Sequence, residues 1–363
     1  MNNNYYKIDP AFEAYFKGKL KQVFLYITDR CQIHCDHCLY KTTLANREIK
    51  LCVSLNLLKI FRDYGAEKLT LIGGEPTLYG IESNNIPLFE LIEKAKEYGY
   101  KYIRLDSNGQ FKRQLIENDS FRKIDNLSIS IDGHTASVND TLRGEGTFKR
   151  AIKRLKNAVS SGYYTTITSC IHYGNVDYIE DMISMATDLG VKEYNMHPLF
   201  KMGIERDVFT GNAQMKPEDW VNVYEDLREK IDSQRYGIFV RLPQRFVKKS
   251  EYRKHPDRYD YCPVRMGERI LVHPNGEMRI CALCIGSPYS IATYDENEIN
   301  FGSLQSEIGK ERVYRKPCMS QIKDFGDIIP ICISYKPHQN EYVWVLQNYD
   351  EKFLGIERLI ELR

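Results

Sequence analysis

Three cysteines at CxxxCxxC spacing are the residues of this sequence best suited to metal chemistry. Cys31, Cys35 and Cys38 lie within one run of eight residues, directly after a β-like apolar stretch at 23–28. Thiolates are soft ligands that hold iron–sulfur clusters or zinc. Three close thiols with no fourth thiol nearby favour a [4Fe–4S] cluster with one iron left open.

Two histidines leave a zinc site as the alternative reading of the same segment. His34 and His37 are interleaved with the cysteines, as in a small Cys/His knuckle. Such a knuckle needs a second pair of ligands about a dozen residues later, and 39–51 contains neither Cys nor His. The open cluster is therefore the favoured interpretation.

The other cysteines suggest a second metal centre. The chain has ten cysteines; without a secretory signal they indicate metal ligands or reactive thiols rather than disulfides. Cys52 and Cys170 stand apart from the rest. The last third of the chain contains the remaining five, which are Cys262, Cys281, Cys284, Cys318 and Cys332.

Composition and charge exclude several classes of protein. The chain has 363 residues, 42% hydrophobic and 28% charged, with a formal net charge of +2. It contains no apolar run of the roughly 18 residues that a membrane span needs, and its first residues are polar. We therefore expect a cytoplasmic protein with no membrane partner. The charged segment 245–258 indicates a solvated linker, so a nucleic-acid partner is not expected.

Strand-like and helix-like stretches alternate along the first two hundred residues. We predict strands at 22–28, 68–72, 101–105, 126–131, 164–172 and 192–198, and helices near 54–64, 87–98, 147–161 and 177–189. Such alternation predicts βαβ units and a parallel sheet, whose active site gathers at the carboxyl ends of the strands. The cysteines and the other polar motifs follow those ends.

These motifs, taken in order, resemble those of the radical S-adenosylmethionine (radical SAM) enzymes. After the cysteines the resemblance is carried by Gly73-Gly74-Glu75-Pro76, Asp106-Ser107-Asn108-Gly109, 128–133 with Leu142-Arg143-Gly144, Asn175 and Gly203. It implies an α/β fold, a partial (β/α)6 TIM-like radical SAM barrel. It also implies a [4Fe–4S] cluster that binds SAM and a reductant such as flavodoxin or ferredoxin. In the family, reductive cleavage of SAM gives the 5′-deoxyadenosyl radical, which abstracts a hydrogen atom from the substrate.

The resemblance also assigns residues to SAM, each with a plainer alternative. Gly73 and Gly74 lie where the family binds the methionine ammonium, and Arg143 suits the methionine carboxylate. Glu75 either adds a contact or caps a helix. The other candidates are Ser130 and Asn175 for the ribose, with strand-end hydrogen bonds as the alternative, and Tyr40 for the adenine, with core packing as the alternative. Asn108 either contacts SAM or only forms its turn.

Three residues are candidates for the chemistry on the substrate. Cys170 lies in a predicted strand, where a thiol could return a hydrogen atom to a substrate radical, although a lone Cys there is more often a small buried hydrophobe. Asp106 and Asp132 lie at strand ends and could act as a general base if the substrate is oxidised. Asp132 can equally belong to its turn.

The C-terminal third resembles the SPASM and twitch domains that hold auxiliary clusters in this family. The resemblance rests on Cys262, Gly276 and Cys281 at the family's spacing, with a predicted hairpin between 270 and 281. Tyr335 stands where a full SPASM domain has a further Cys, so one auxiliary [4Fe–4S] cluster is expected. Its ligands would be Cys262, Cys281 and Cys332, with Cys318 or Cys284 as the fourth.

The predicted organisation and function follow from these motifs. We divide the chain into an N-terminal segment, the barrel, a helical linker, the small α+β auxiliary domain and a C-terminal helix, at 1–20, 21–205, 206–255, 256–345 and 346–363. Residues 1–20 leave no room for a leader-binding domain. The auxiliary domain favours modification of a peptide or protein. Oxidation or epimerisation of a small molecule, such as an antibiotic sugar or aminocyclitol, is the alternative, and a non-catalytic iron–sulfur or zinc protein is a remote one.

Overall fold

A computed structural model describes most of the first two thirds of the chain and parts of the remainder. The described residues are 6–38, 40, 44–199, 213–232, 236–241, 246–255, 266–279, 281, 290–301 and 327–330. The predictions for Cys262, Cys284, Cys318, Cys332 and the C-terminal helix at 346–363 lie outside them. Among the described residues no helix is both long enough and apolar enough to cross a membrane.

Strands and helices alternate through the first half of the chain. The strands are β1 (Lys7–Ile8), β2 (Gln22–Thr28), β3 (Lys68–Gly73), β4 (Tyr102–Ser107), β5 (Asn126–Ser130), β6 (Thr165–Ile171), β7 (Glu193–Pro198), β8 (Phe239–Arg241), β9 (Phe246–Lys248), β10 (Arg269–Val272), β11 (Glu277–Arg279), β12 (Ala292–Tyr294), β13 (Glu298–Asn300) and β14 (Ile328–Pro330). The α-helices are α1 (Pro10–Phe16), α2 (Leu51–Asp63), α3 (Ile86–Glu97), α4 (Gln114–Glu117), α5 (Ala136–Arg143), α6 (Thr147–Ser160), α7 (Ile179–Asp188), α8 (Pro217–Asp232) and α9 (Lys249–Lys254). Short 3₁₀ helices occupy Pro76–Leu78, Ile81–Ser83, Phe121–Lys123 and Val176–Tyr178.

Most of these strands join one sheet. Within the described residues its order is β1-β13-β12-β11-β10-β2-β3-β4-β5-β6-β7-β8, and β9 pairs separately with β14. Strands β2 to β8 are parallel and lie side by side in chain order. The predicted parallel α/β sheet is confirmed, and its curvature into a partial barrel stays a prediction.

The two faces of the sheet differ sharply in polarity. On β4, Ile103 and Leu105 are fully buried and belong to the same apolar core as Leu57 and Leu58 of α2. Each such side chain contributes about 1.5–3 kcal/mol when it leaves water. The alternate residues of the strands face the other way and are mostly polar, including Lys68, Thr70, Arg104, Asp106, Ser128, Thr168, Glu193 and Asn195. The helices therefore pack on one face, and the other face carries polar side chains that are themselves mostly buried.

The sheet continues beyond residue 205, where the predicted barrel ends. Within the segment predicted to be a helical linker, β8 pairs in parallel with β7 at the register Glu193–Phe239. The predicted hairpin is present as β10 and β11, but β10 also pairs in parallel with β2 over four residues, from Arg269–Gln22 to Val272–Leu25. Strand pairing over such sequence distances is not visible in local patterns, so the predicted boundaries did not anticipate it.

Candidate metal and ligand site

The three cysteines lie on the loop that leaves β2, at the carboxyl edge of the parallel strands. Burial raises the pKa of the Cys31 thiol to about 12, and Cys35 and Cys38 are close enough to add to that rise. Burial also raises the pKa of Cys35 to about 11, while Arg143 opposes the rise. Buried thiols of this kind become thiolates only when a cation compensates them. The donor set therefore fits an iron–sulfur cluster as its source of positive charge.

Backbone and side-chain contacts fix this loop. The Asp36 N–H donates to the carbonyl of Leu142 at 2.8 Å, and the Tyr40 N–H donates to Cys38 Sγ at 3.4 Å. Among the described residues, no three Cys, His, Asp or Glu side chains come together as they would around a single metal ion. A cubane cluster separates its thiolates more widely than one ion separates its ligands.

Asp132, at the end of β5, joins the cysteine loop to the neighbouring elements. Its carboxylate accepts hydrogen bonds from Arg143 Nε at 2.5 Å and Arg143 Nη2 at 3.1 Å, and His37 Nε2 lies 3.2 Å from its Oδ2. The Cys170 N–H donates to it at 2.7 Å. Burial raises the pKa of Asp132, but Arg143 and His37 outweigh that effect and hold the pKa well below its usual value.

This arrangement bears on the roles that the sequence suggests for Asp132 and Arg143. Asp132 is completely buried and its carboxylate is occupied by protein donors, so this geometry does not favour it as a general base. Arg143 ends a helix, α5, rather than lying in the loop that the sequence suggested. Its guanidinium faces Asp132, and it is close enough to Cys35 and Cys170 for their charges to affect its pKa. A contact from Arg143 to the SAM carboxylate stays a prediction.

The glycine pair at the end of β3 lets its backbone lie close to the backbone that follows β2. A Cβ at Gly73 would lie 2.1 Å from the Thr28 carbonyl oxygen, and one at Gly74 would lie 2.2 Å from that of Arg30. The Gly74 N–H donates to the Thr28 carbonyl at 2.9 Å. Any larger side chain would push β3 away from the strand that carries the cysteines.

Glu75 connects the ends of β3 and β4. It is fully buried, and it accepts hydrogen bonds from Thr77 N–H at 3.1 Å, Thr77 Oγ1 at 2.6 Å, Ser107 Oγ at 2.8 Å and Asn108 N–H at 2.7 Å. Of the two predicted roles, the structure therefore shows the helix cap. Asn108 Nδ2 lies 3.6 Å from Cys31 Sγ and 3.3 Å from Gln32 Oε1, so the turn after β4 contacts the cysteine loop directly.

The two predicted ribose residues differ in their surroundings. The fully buried Asn175 donates from Nδ2 to the carbonyls of Asp132 and Cys170 at 2.8 and 2.9 Å and accepts from the His172 N–H at 2.7 Å. Its side-chain amide therefore forms hydrogen bonds with backbone groups of Cys170 in β6 and of Asp132 just after β5. Ser130 is half-buried, on the polar face opposite Thr168 in the register. It is the better placed of the two for a ligand.

The other two catalytic candidates lie on the polar face. Asp106 accepts a hydrogen bond from Arg104 Nε at 2.5 Å, and Arg104 also donates to Ser128 and Thr168. The sequence did not single out Arg104, although a charged residue inside an apolar strand was a usable signal. Cys170 is half-buried beside Leu142 and Leu199. Hydrogen-atom transfer from Cys170 and proton transfer by Asp106 stay predictions.

An aromatic group links the cysteine loop to the hairpin. The hydroxyl groups of Tyr26 and Tyr40 are 2.5 Å apart, and the Tyr26 ring stacks on His273 with centroids 4.2 Å apart and planes 17° apart. Cys281 lies near enough for its charge to affect the pKa of Tyr26. The hairpin therefore brings one predicted auxiliary-cluster ligand to the side of the sheet that carries the first three cysteines.

A cleft lies beside these aromatic rings. It is lined by the ends of β2 and β3, by Tyr40, Leu44 and Arg47, and by the β10–β11 hairpin. Three residues that the sequence motifs assign to SAM, Tyr40, Gly73 and Gly74, form part of its lining. His273 could have been noticed only as a polar residue at the end of a predicted strand.

Comparison with known proteins finds a family match over the part of the chain that carries the cysteine loop. Residues 25–186 match the model of the radical SAM superfamily. The chain is 24% identical over 222 residues to a "Probable GTP 3',8-cyclase" of Saccharolobus solfataricus, covering 60% of this chain and 67% of that protein. It is also 24% identical over 185 residues to a "PqqA peptide cyclase" of Streptomyces rochei, covering 50% of this chain and 48% of that protein.

Solved structures share the fold at low sequence identity. Streptococcus suis SuiB bound to precursor peptide SuiA has a TM-score of 0.62 and 15% identity, with 85% of this chain and 68% of that chain covered. Native anSMEcpe with bound AdoMet has a TM-score of 0.59 and 16% identity, with 80% and 82% covered. These likenesses support the α/β architecture.

Proposed function

We propose that this chain cleaves SAM reductively and abstracts a hydrogen atom from a peptide or protein. The proposal starts from the match of residues 25–186 to the radical SAM superfamily model. The observation that carries the proposal is a convergence at one edge of a parallel sheet. It brings together the buried thiol of Cys35, the half-buried thiols of Cys31 and Cys38, the close-packed Gly73–Gly74 turn and the Asp132–Arg143 pair. Polar side chains continue from that edge along the sheet face that the helices leave uncovered.

The residues present suit the cofactors that the superfamily uses. Cys31, Cys35 and Cys38 would hold a [4Fe–4S] cluster, and when bound the cluster and SAM supply the electron transfer and the hydrogen-atom abstraction. The Gly73–Gly74 turn would receive the methionine part of SAM, and the half-buried hydroxyl of Ser130 would face the ribose. The protein's own part is to position these groups and to keep water away from them.

An auxiliary [4Fe–4S] cluster in a twitch-type domain is part of the proposal. Its support is the spacing of Cys262, Gly276 and Cys281 and the position of Cys281 near Tyr26. A reductant such as flavodoxin or ferredoxin would deliver the first electron.

Peptide modification is favoured over the alternatives by the named relatives. One curated relative is a PqqA peptide cyclase, and one structural neighbour was solved with its precursor peptide. The GTP 3',8-cyclases favour a small-molecule substrate as the second candidate.

The test is SAM cleavage by the anaerobically reconstituted full chain. With dithionite and SAM the wild type is expected to make 5′-deoxyadenosine and to hold about four irons per cluster. A Cys31→Ala/Cys35→Ala/Cys38→Ala variant is expected to lose cleavage and about four irons. Cys52→Ala is the matched control, because Cys52 is exposed on α2, away from the loop. A wild type that reconstitutes fully but never cleaves SAM would refute the proposal.

A further inference from the structure

The cleft between the Gly73–Gly74 turn and the hairpin has two walls of different origin. Tyr26, Gly73 and Gly74 lie within the residues that match the superfamily model. His273, Glu277 and Arg279 lie outside that match, on β10–β11. A ligand in the cleft would therefore contact residues within the superfamily match on one side and residues outside that match on the other.

The charges that line the cleft are balanced in pairs. Arg47 donates from Nε to Asp29 Oδ2 at 2.7 Å and from its backbone N–H to Asp29 Oδ1 at 2.8 Å. Arg279 donates from Nη2 to Glu277 Oε2 at 2.6 Å. Two guanidinium groups thus face two carboxylates, and an anionic ligand would have to compete with a carboxylate for each of them.

Among the polar side chains that line the cleft, His273 has a buried ring nitrogen with no hydrogen-bond partner among the described residues. Its side chain is 91% buried against the Tyr26 ring, and its Nε2 has no hydrogen-bond partner among the described residues. Burial, assisted by Arg279, lowers the pKa of His273 to about 3, so the ring is neutral at pH 7. A buried ring nitrogen without a partner is unfavourable, and a hydrogen bond from a ligand would remove that cost.

We propose that this cleft binds a neutral hydrogen-bonding group of the substrate, a carboxamide or a hydroxyl, and that His273 recognises it. Either group can donate or accept, so it can pair with either tautomer of a neutral imidazole. Beside the hairpin, the balanced lining charges disfavour a phosphate or a carboxylate of the substrate. The inference rests on the proposed function and narrows it, because an amide-bearing peptide suits the cleft and a nucleoside triphosphate does not.

The test uses the anaerobically reconstituted full chain with SAM bound. Equilibrium dialysis measures binding of labelled N-acetyl-L-serinamide, which carries both carboxamide and hydroxyl groups, beside acetate and inorganic phosphate. We expect serinamide to bind more tightly than either anion. His273→Phe keeps a ring on Tyr26 but removes the nitrogens, so it should weaken serinamide binding about fivefold to tenfold, the worth of one hydrogen bond.

Two further variants separate recognition from folding. His273→Gln keeps a polar group near the position of Nε2 and should restore part of the binding. Asn300→Ala, at an exposed position of β13, should bind serinamide and cleave SAM as the wild type does. Thermal unfolding of each variant checks that it is folded.

The outcomes that overturn the inference are distinct from failure of the proposed function. The inference is wrong if the anions bind as well as serinamide, if nothing binds, or if folded His273→Phe binds serinamide like the wild type. Production of 5′-deoxyadenosine is measured in the same samples. A wild type that binds serinamide but does not cleave SAM refutes the proposed function and leaves the cleft assignment in place.

Discussion

Replacing Asp132 by Asn is expected to be among the most damaging single changes near the cysteine loop. The substitution keeps the shape of the side chain and removes its charge. The buried Arg143 guanidinium would then lose the carboxylate that it contacts at 2.5 and 3.1 Å, and His37 would lose its partner at 3.2 Å. Removing one member of a buried ion pair costs about 3–5 kcal/mol. Typical domains are stable by only about 5–15 kcal/mol, so the loss should be plain.

The assay is urea unfolding, followed by circular dichroism, together with iron content after reconstitution. Asp132→Asn should lower the free energy of unfolding by several kcal/mol and reduce the iron held by the loop, since His37 no longer anchors it. Asp177→Asn is the control: Asp177 is exposed, so its effect should stay within about 0.5 kcal/mol.

A double variant tests the physical reasoning behind this expectation. Asp132→Asn/Arg143→Met removes both charges, so it should be less destabilised than the sum of the two single variants. Because the folded pKa of Asp132 is depressed, its contribution is present above the ordinary Asp pKa of about 4 and is lost as the pH falls toward the folded value. The reasoning is refuted if Asp132→Asn unfolds within about 1 kcal/mol of the wild type at pH 7.

Three further outcomes are expected. Gly74→Ala should abolish SAM cleavage, because the new Cβ would lie 2.2 Å from a carbonyl oxygen, whereas Gly237→Ala, whose Cβ has 3.4 Å to its nearest neighbour, should not. Glu75→Gln should cost about 1–3 kcal/mol in urea unfolding, because its amide would face donors from Thr77, Ser107 and Asn108. Between pH 6.5 and about 3 the unfolded wild type binds a proton on His273 more readily than the folded protein does, so its free energy of unfolding should fall as the pH falls. His273→Phe should show a smaller fall over the same range, and an equal pH dependence in the two proteins would contradict this.

Local patterns were sufficient to predict the strands that carry the site. The predicted strand at 22–28 matches β2, and the prediction at 68–72 differs from β3 by one residue. Strands β3 to β7 alternate apolar residues with mostly polar ones, and the motifs follow the ends of the strands, so the periodicity and the motifs indicate the same positions. The positions of Cys31, Gly73 and Asn108 at one edge followed from that alone.

Partnerships between distant residues could not be predicted in the same way. Asp132 and Arg143 were each assigned to a ligand or to chemistry, yet the structure pairs them with each other because α5 turns Arg143 back over the end of β5. Asn175 was read as a ribose contact, and its amide instead joins two strand ends. The register of β10 beside β2 depends on about 240 intervening residues, which no local pattern encodes.

That register makes β2 an interior strand. Its backbone groups are shared with β3 on one side and β10 on the other, so the strand before the cysteine loop has no open edge. On the far side of the hairpin, β1 closes the sheet by pairing with β13. The hairpin is thus not a separable module. A shortened chain ending before it would leave β2 with unpaired backbone amides, a template for self-association beside the cysteine loop. Pairing of β10 with β2 is therefore required both to complete the sheet and to keep the strand before the cysteine loop from pairing with another chain.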